Sequence, residues 1–221
     1  IKLANVYSTR FALTTVDRVR KLKYTQVFEQ NLSVTHPPTI EENYTGEPYT
    51  ELKFTPDLAR FGYTNGWSDT MLRIVEKRVY DLAACAGSEV KVTFNGNPIC
   101  VKDFQSYMGL FEETQYGSYS ERVNDRWEVG VALSDDGFKH QSFVNGVCTS
   151  KGGTHANAIA NQIARRVSKR IEEKKKVTIK PAYVKENLML FVNSMIENPA
   201  FDAQTKETLT TPAARFGSKC V

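Results

Sequence analysis

The sequence lacks most of the short signals that announce a chemistry. Its four cysteines, Cys85, Cys100, Cys148 and Cys220, are scattered, and no two stand at Cys-x-x-Cys spacing. Neither a zinc site nor a redox pair is indicated, and a reduced, intracellular compartment is expected. No apolar run approaches the roughly 20 residues that a membrane span needs. There is no internal repeat and no low-complexity tract. Carboxylates are many but none stand at a catalytic spacing, and no Ser-His-Asp or Cys-His arrangement appears, so no hydrolytic centre is visible. The opening stretch, IKLANVYSTR, has no Met and no signal-peptide pattern. It reads as the middle of an element, so a piece of a longer protein is expected.

What is present is ordinary globular composition. Of the 221 residues, 41% are hydrophobic and 24% charged, which suits one or two domains with their own cores. The net charge of +4 permits an anionic partner without demanding one.

The first third reads as β-rich. RFALTTV and KLKYTQVFEQNL mix β-branched and aromatic residues with polar ones. THPPTIEENYTGEP reads as a loop, and YTELKFTPD alternates with Leu52 and Phe54 on one face. A helix follows, capped by Ser68 or Asp69, carrying Met71, Leu72, Val75, Val79 and Leu82, and ending at Gly87. Val90, Val92 and Phe94 lead into Asn95-Gly96, a strong hairpin signal. The polar stretch 112–122 is the best candidate boundary. Beyond it, Trp127, Val129, Val131 and Leu133 share a strand face, and Asp136-Gly137 suggests the turn of a second hairpin. TSKGGTH leads into a helix with Ile159, Ile163, Val167 and Ile171, ending in EEKKK. A last helix is expected over Leu188, Phe191, Val192, Met195 and Ile196, stopped by Pro199. Strands then helices, twice, give an α+β fold in two units.

Three motifs carry more than one reading. CTSKGGTH could bind an anion at a helix N-terminus. Its spacing is not that of a P-loop, and the plainer reading is a tight Gly152-Gly153 turn with Thr154 as the cap and His155 a satisfied structural histidine. The run Lys174, Lys175, Lys176 could touch a phosphate backbone, or simply be a solvated helix end that complements the dipole. Lys206, in NPAFDAQTKE, is by itself a surface charge.

Their order along the chain changes the weighting. FVNGVCTSKGGTH, a helix, a basic segment, ENLMLFVNSMIENPAFDAQTKE and FGS together resemble the transducer region of the ATPase part of eukaryotic type II DNA topoisomerases. Upstream, KLANVYSTRF, GEPYTELKFTPDL, RVYDLA and NGNPI resemble the second half of the GHKL (Bergerat-type) nucleotide-binding domain of that family. The resemblance spans nearly the whole chain.

It implies a partial GHKL domain over residues 1–114. A transducer over 115–221 would follow, with a ribosomal-S5-like fold and a left-handed βαβ crossover. It implies ATP as the nucleotide, with Mg²⁺ held by residues outside this sequence, as are the general-base glutamate and the DNA-cleaving tyrosine. Lys2 matches the lid lysine that meets the phosphates, and Thr50 the strand threonine beside the adenine. Gln204 and Lys206 match the Gln-Thr-Lys loop that reaches the γ-phosphate, Lys206 being the catalytic position. Lys174, Lys175 and Lys176 coincide with a basic loop thought to meet double-stranded DNA. The resemblance further implies a homodimer through an N-terminal gate, and a nuclear (or organellar) enzyme. Two alternatives stay open: a non-enzymatic DNA-binding α+β module, and another GHKL ATPase, against which the Gln-Thr-Lys loop argues.

Overall fold

The computed structural model describes residues 1–220. The chain forms two compact units, Ile1–Leu72 and Arg73–Val221. The boundary expected near residue 114 falls within the second of these, where 112–116 form a short 3-10 turn.

In the first unit, a short helix α1 (Lys2–Val6) leads into β1 (Ser8–Asp17), β2 (Leu22–Glu29), β3 (Val34–Thr35), β4 (Thr39–Glu42) and β5 (Thr50–Pro56). The sheet order is β3-β2-β1-β5, with β4 also pairing β2, and all the pairings are antiparallel. Phe11 lies opposite Phe28 on one side and Phe54 on the other, ring centroids 6.2 and 6.3 Å away. The stretch 35–48, read as loop, contains the fully exposed strand β4; its prolines precede the pairing rather than prevent it.

The second unit contains most of the helix α2 (Asp69–Ala86), where the Ser68 hydroxyl accepts from the Met71 amide and Gly87 follows in the left-handed conformation. The two-residue strands β6 (Thr93–Phe94) and β7 (Asn97–Pro98) close the Asn95-Gly96 turn. Asp103 caps α3 (Phe104–Met108) through a reciprocal box with Ser106. The elements β8 (Ser118–Asn124), β9 (Trp127–Leu133), β10 (Lys139–Val144), β11 (Val147–Cys148), α4 (Thr154–Lys175), α5 (Pro181–Glu186) and β12 (Leu188–Ser194) complete it.

Two expectations are corrected here. The segment 188–196 is not a helix: residues 188–194 form β12, the central strand of a sheet ordered β11-β10-β12-β9-β8. Nor do β9 and β10 form a hairpin, because β12 lies between them, antiparallel to β9 and parallel to β10. The hairpin partner of β9 is β8, built from residues that had read as linker. The reason is burial on both faces. Met189 and Phe191 enter a core with Ala83 and Ala84 of α2 and Phe104, Tyr107 and Met108 of α3. Leu190 and Val192 enter a second core with Ala156, Ile159 and Ala160 of α4. A strand covered on both sides is apolar throughout and loses its period-2 signature. The parallel β10–β12 pair is joined through α4 and α5, a βαβ connection.

Candidate functional site

The functional candidates of the second unit gather at the two ends of α4. At its N-terminal end, Gly153 precedes the helix with φ 135°, and a Cβ there would collide with the Leu209 backbone. Only glycine permits that approach. Through it, the segment following the Gln-Thr-Lys stretch is hydrogen-bonded to the loop before α4. The amide of Leu209 donates to the Gly152 carbonyl (3.0 Å), the amide of Thr154 to the Leu209 carbonyl (3.1 Å), and the amide of Lys151 to the Glu207 carbonyl (3.0 Å). Thr154 therefore does not cap the helix. It is the first helical residue, and its hydroxyl donates to the Thr211 carbonyl at 2.6 Å.

The loop closes on itself as well. Asp202 N–H donates to Thr208 C=O (3.2 Å), Thr210 N–H to Ala200 C=O (2.9 Å), and Ala200 N–H to the Thr211 hydroxyl (2.7 Å). At its tip the Lys206 amide donates to the Ala203 carbonyl (3.0 Å), so Gln204 and Thr205 are the central residues of a tight turn. Lys206 itself has φ 58°, a left-handed conformation that costs a non-glycine residue about 1 kcal/mol or more and persists where surrounding bonds impose it. Its ammonium lies 5.6 Å from the Phe201 ring centroid, and no carboxylate lies within ion-pair distance of it among the described residues. Gln204 is exposed beside it. An ammonium and an amide without an internal anion form a donor set that suits phosphate oxygens.

Beside the Gly152-Gly153 turn runs a buried polar chain. The Ser142 hydroxyl lies 3.4 Å from His140 Nδ1 and 2.7 Å from the Thr149 hydroxyl, which lies 3.1 Å from His155 Nε2. The Thr149 hydroxyl also lies 3.0 Å from the Ser142 carbonyl, and His155 Nδ1 has no hydrogen-bond partner among the described residues. His155 is completely buried, and burial with His140 nearby pushes its pKa down to about 4. It is buried, as read from the sequence, but with Nδ1 unpartnered among the described residues it is not fully satisfied. His140, whose ring lies against Gly152, was not linked to it; the two are brought together only by the β10–α4 arrangement.

At the other end of α4, Lys174 and Lys175 occupy the last turn and Lys176 is the left-handed C-cap (φ 57°), all exposed. The helix puts about 33 Å between them and the Gly-Gly turn. In the first unit, Lys2 opens α1 and is exposed. Thr50 opens β5 opposite Thr15, their hydroxyls 3.0 Å apart, at the end of the β1–β5 pair remote from Ser8, where α1 enters. No cluster of three or more His, Cys, Asp or Glu that could hold a metal exists among the described residues, and no helix is long and apolar enough to cross a membrane.

An antiparallel sheet unit followed by a sheet with the β10–α4–α5–β12 connection matches the ATPase regions of type II topoisomerases, which consist of a GHKL part and a transducer. The DNA gyrase B family model matches residues 99–220, and the chain belongs to that family. It is 40% identical to the ATPase region of Saccharomyces cerevisiae topoisomerase II, covering 99% of this chain and 56% of that one with a TM-score of 0.90. The ATPase and transducer domains of DNA topoisomerase II from Balamuthia mandrillaris superpose with a TM-score of 0.92 at 38% identity, over 100% of this chain and 57% of that one. DNA topoisomerase 2 of Arabidopsis thaliana is 42% identical over 228 residues, 99% of this chain and 15% of the relative's length. The chain is thus homologous to the ATPase region of a type II DNA topoisomerase and spans a small part of such enzymes.

Proposed function

We propose that the chain is the phosphate-sensing portion of an ATP-dependent type II DNA topoisomerase, with a GHKL part over residues 1–114 and the transducer over 115–221. The observation that carries this is the turn 203–206. Its base is fixed by backbone bonds to the loop before α4 and to the first residue of that helix, its tip holds a lysine in a left-handed conformation, and that lysine has no counter-charge within ion-pair distance among the described residues.

Lys206 donates a charge-assisted hydrogen bond to the γ-phosphate, with the Gln204 amide beside it. The bond exists with ATP and is lost after hydrolysis and phosphate release, which is the differential contact a two-state switch requires. During transfer the same ammonium offsets charge on the departing phosphoryl group. Lys2 meets the phosphates, and the Thr50 hydroxyl lies toward the adenine. Mg²⁺ would neutralise phosphate charge when bound, and its ligands belong outside the described residues. Lys174, Lys175 and Lys176 contact the phosphates of double-stranded DNA. The whole enzyme passes one duplex through another, works as a homodimer, and resides in the nucleus.

Lys206→Ala in the full-length enzyme is expected to cut ATP turnover by at least about a hundredfold, with DNA binding largely kept. Undiminished turnover would exclude the sensor role. Neutralising Lys174–Lys176 together is expected to weaken DNA-stimulated hydrolysis and to flatten its salt dependence, by up to about 0.9 in log–log slope per lost phosphate contact. An unaltered slope returns those lysines to a solvated helix end.

A further inference from the structure

Glu207 follows the proposed sensor lysine directly in the chain. A carboxylate in that position has two harmful options. It can pair with the Lys206 ammonium, or it can face the triphosphate and repel it. The structure shows neither. The Glu207 carboxylate is turned back to the loop before α4, where its Oε2 lies 2.7 Å from Lys151 Nζ. Main-chain bonds hold both partners in place, since the Lys151 amide also donates to the Glu207 carbonyl at 3.0 Å. Lys151 is in turn anchored by the Gly152-Gly153 turn against Leu209.

We infer that Lys151 is a positioning residue for the phosphate-sensing turn: it neutralises Glu207 and holds that carboxylate away from Lys206, leaving the ammonium free for the nucleotide. This rests on the reading of Lys206 given above and assigns the regulation of its charge to a residue 55 positions earlier in the chain. The pair is largely solvent-exposed, with side-chain exposures of 66% for Lys151 and 39% for Glu207. Such pairs contribute little to stability, about 0–1 kcal/mol. A role limited to stability therefore predicts almost no effect on catalysis when the pair is removed. A positioning role predicts an effect on nucleotide use out of proportion to the effect on melting.

The test uses the full-length enzyme, reading kcat and KM for ATP together with the melting temperature. Lys151→Met frees the carboxylate and is expected to raise KM about fivefold, the size of one extra unscreened charge near a phosphate in high dielectric, with the melting temperature moved by only about 2–4 °C. Lys151→Arg, which keeps the charge, is expected to retain the wild-type KM. The double variant Lys151→Met/Glu207→Gln has neither charge and is expected to recover KM to within about twofold of wild type. An unchanged KM in Lys151→Met overturns the inference. So does a double variant as impaired as Lys151→Met alone, which would mean that Lys151 touches the nucleotide itself, and so does a melting loss that accounts for the whole defect. Lys206→Ala serves as the separate arm. If it hydrolyses ATP normally, the underlying reading fails; if it is crippled while Lys151→Met is normal, only the present inference fails.

Discussion

Within this chain the sheets of the two units are covered to very different extents. In the first, Phe11 and Val16 are the buried apolar side chains among the described residues, β2 is half-buried along its whole length, and Leu52 and Phe54 remain 40% and 49% exposed. In the second, the sheet is covered on both faces. Its central strand β12 feeds alternate residues into two separate cores, and Leu190, Phe191 and Val192 are completely buried. Both sheets have five strands; among the described residues the second carries apolar cores on both faces and the first does not, the exposures of the first being those of this chain taken by itself. Substitutions in the two units are therefore expected to differ most at equivalent mid-strand leucines. Leu190→Ala removes a side chain wedged between β9, β10 and α4 and is expected to cost about 3–4 kcal/mol. Leu52→Ala, on an open face, is expected to cost less than about 1 kcal/mol. Urea denaturation of the chain measures both, and equal losses would mean that the first unit's sheet is better covered than its exposures state.

The same difference decided what could be read from the sequence. Strands of the thinly covered unit are mixtures of apolar and polar residues, and β1, β2 and β5 were legible for that reason. In β12 the run LMLFV has no alternation. Leu188, Phe191, Val192, Met195 and Ile196 fall by accident at helical spacing, so an apolar strand imitated an amphipathic helix. The hairpin error followed from it: Asp136-Gly137 does turn the chain, but nothing local says that a strand from 50 residues later will insert between its arms. Local signals fared better where the physics is local, as at the Ser68 cap, Gly87 and the Asn95-Gly96 turn. At the candidate site, the roles of Gln204 and Lys206 came from resemblance to a family; the run Lys174–Lys176 stood out as a charge run, and the resemblance only raised the weight of its DNA-contact reading. The binding of the Lys206 turn to TSKGG was illegible because it joins segments more than 50 residues apart. Lys151 and Glu207 stood in plain view, and only the fold pairs them.

A smaller effect sharpens the comparison through the histidines. His36, in the first unit, is exposed, its Nε2 2.7 Å from Glu29. His155, in the second, is sealed in the first turn of α4, with its pKa pushed from 6.5 down to about 4 by burial and by His140. The native imidazole therefore stays neutral while the unfolded chain takes up a proton. Its contribution to stability is complete above about pH 6.5 and is lost progressively as the pH falls through the folded value. The full gap corresponds to roughly 3 kcal/mol, of which about 2 kcal/mol is lost between pH 7 and pH 5. Carboxylates and His140 add their own pH dependence, so the informative quantity is the difference between wild type and His155→Gln across that window. Wild type is expected to lose stability the more steeply, because glutamine has no proton to gain. Parallel stability curves would show that the imidazole can be protonated in place, and hence that the layer of α4 over the sheet admits water where the structure closes it.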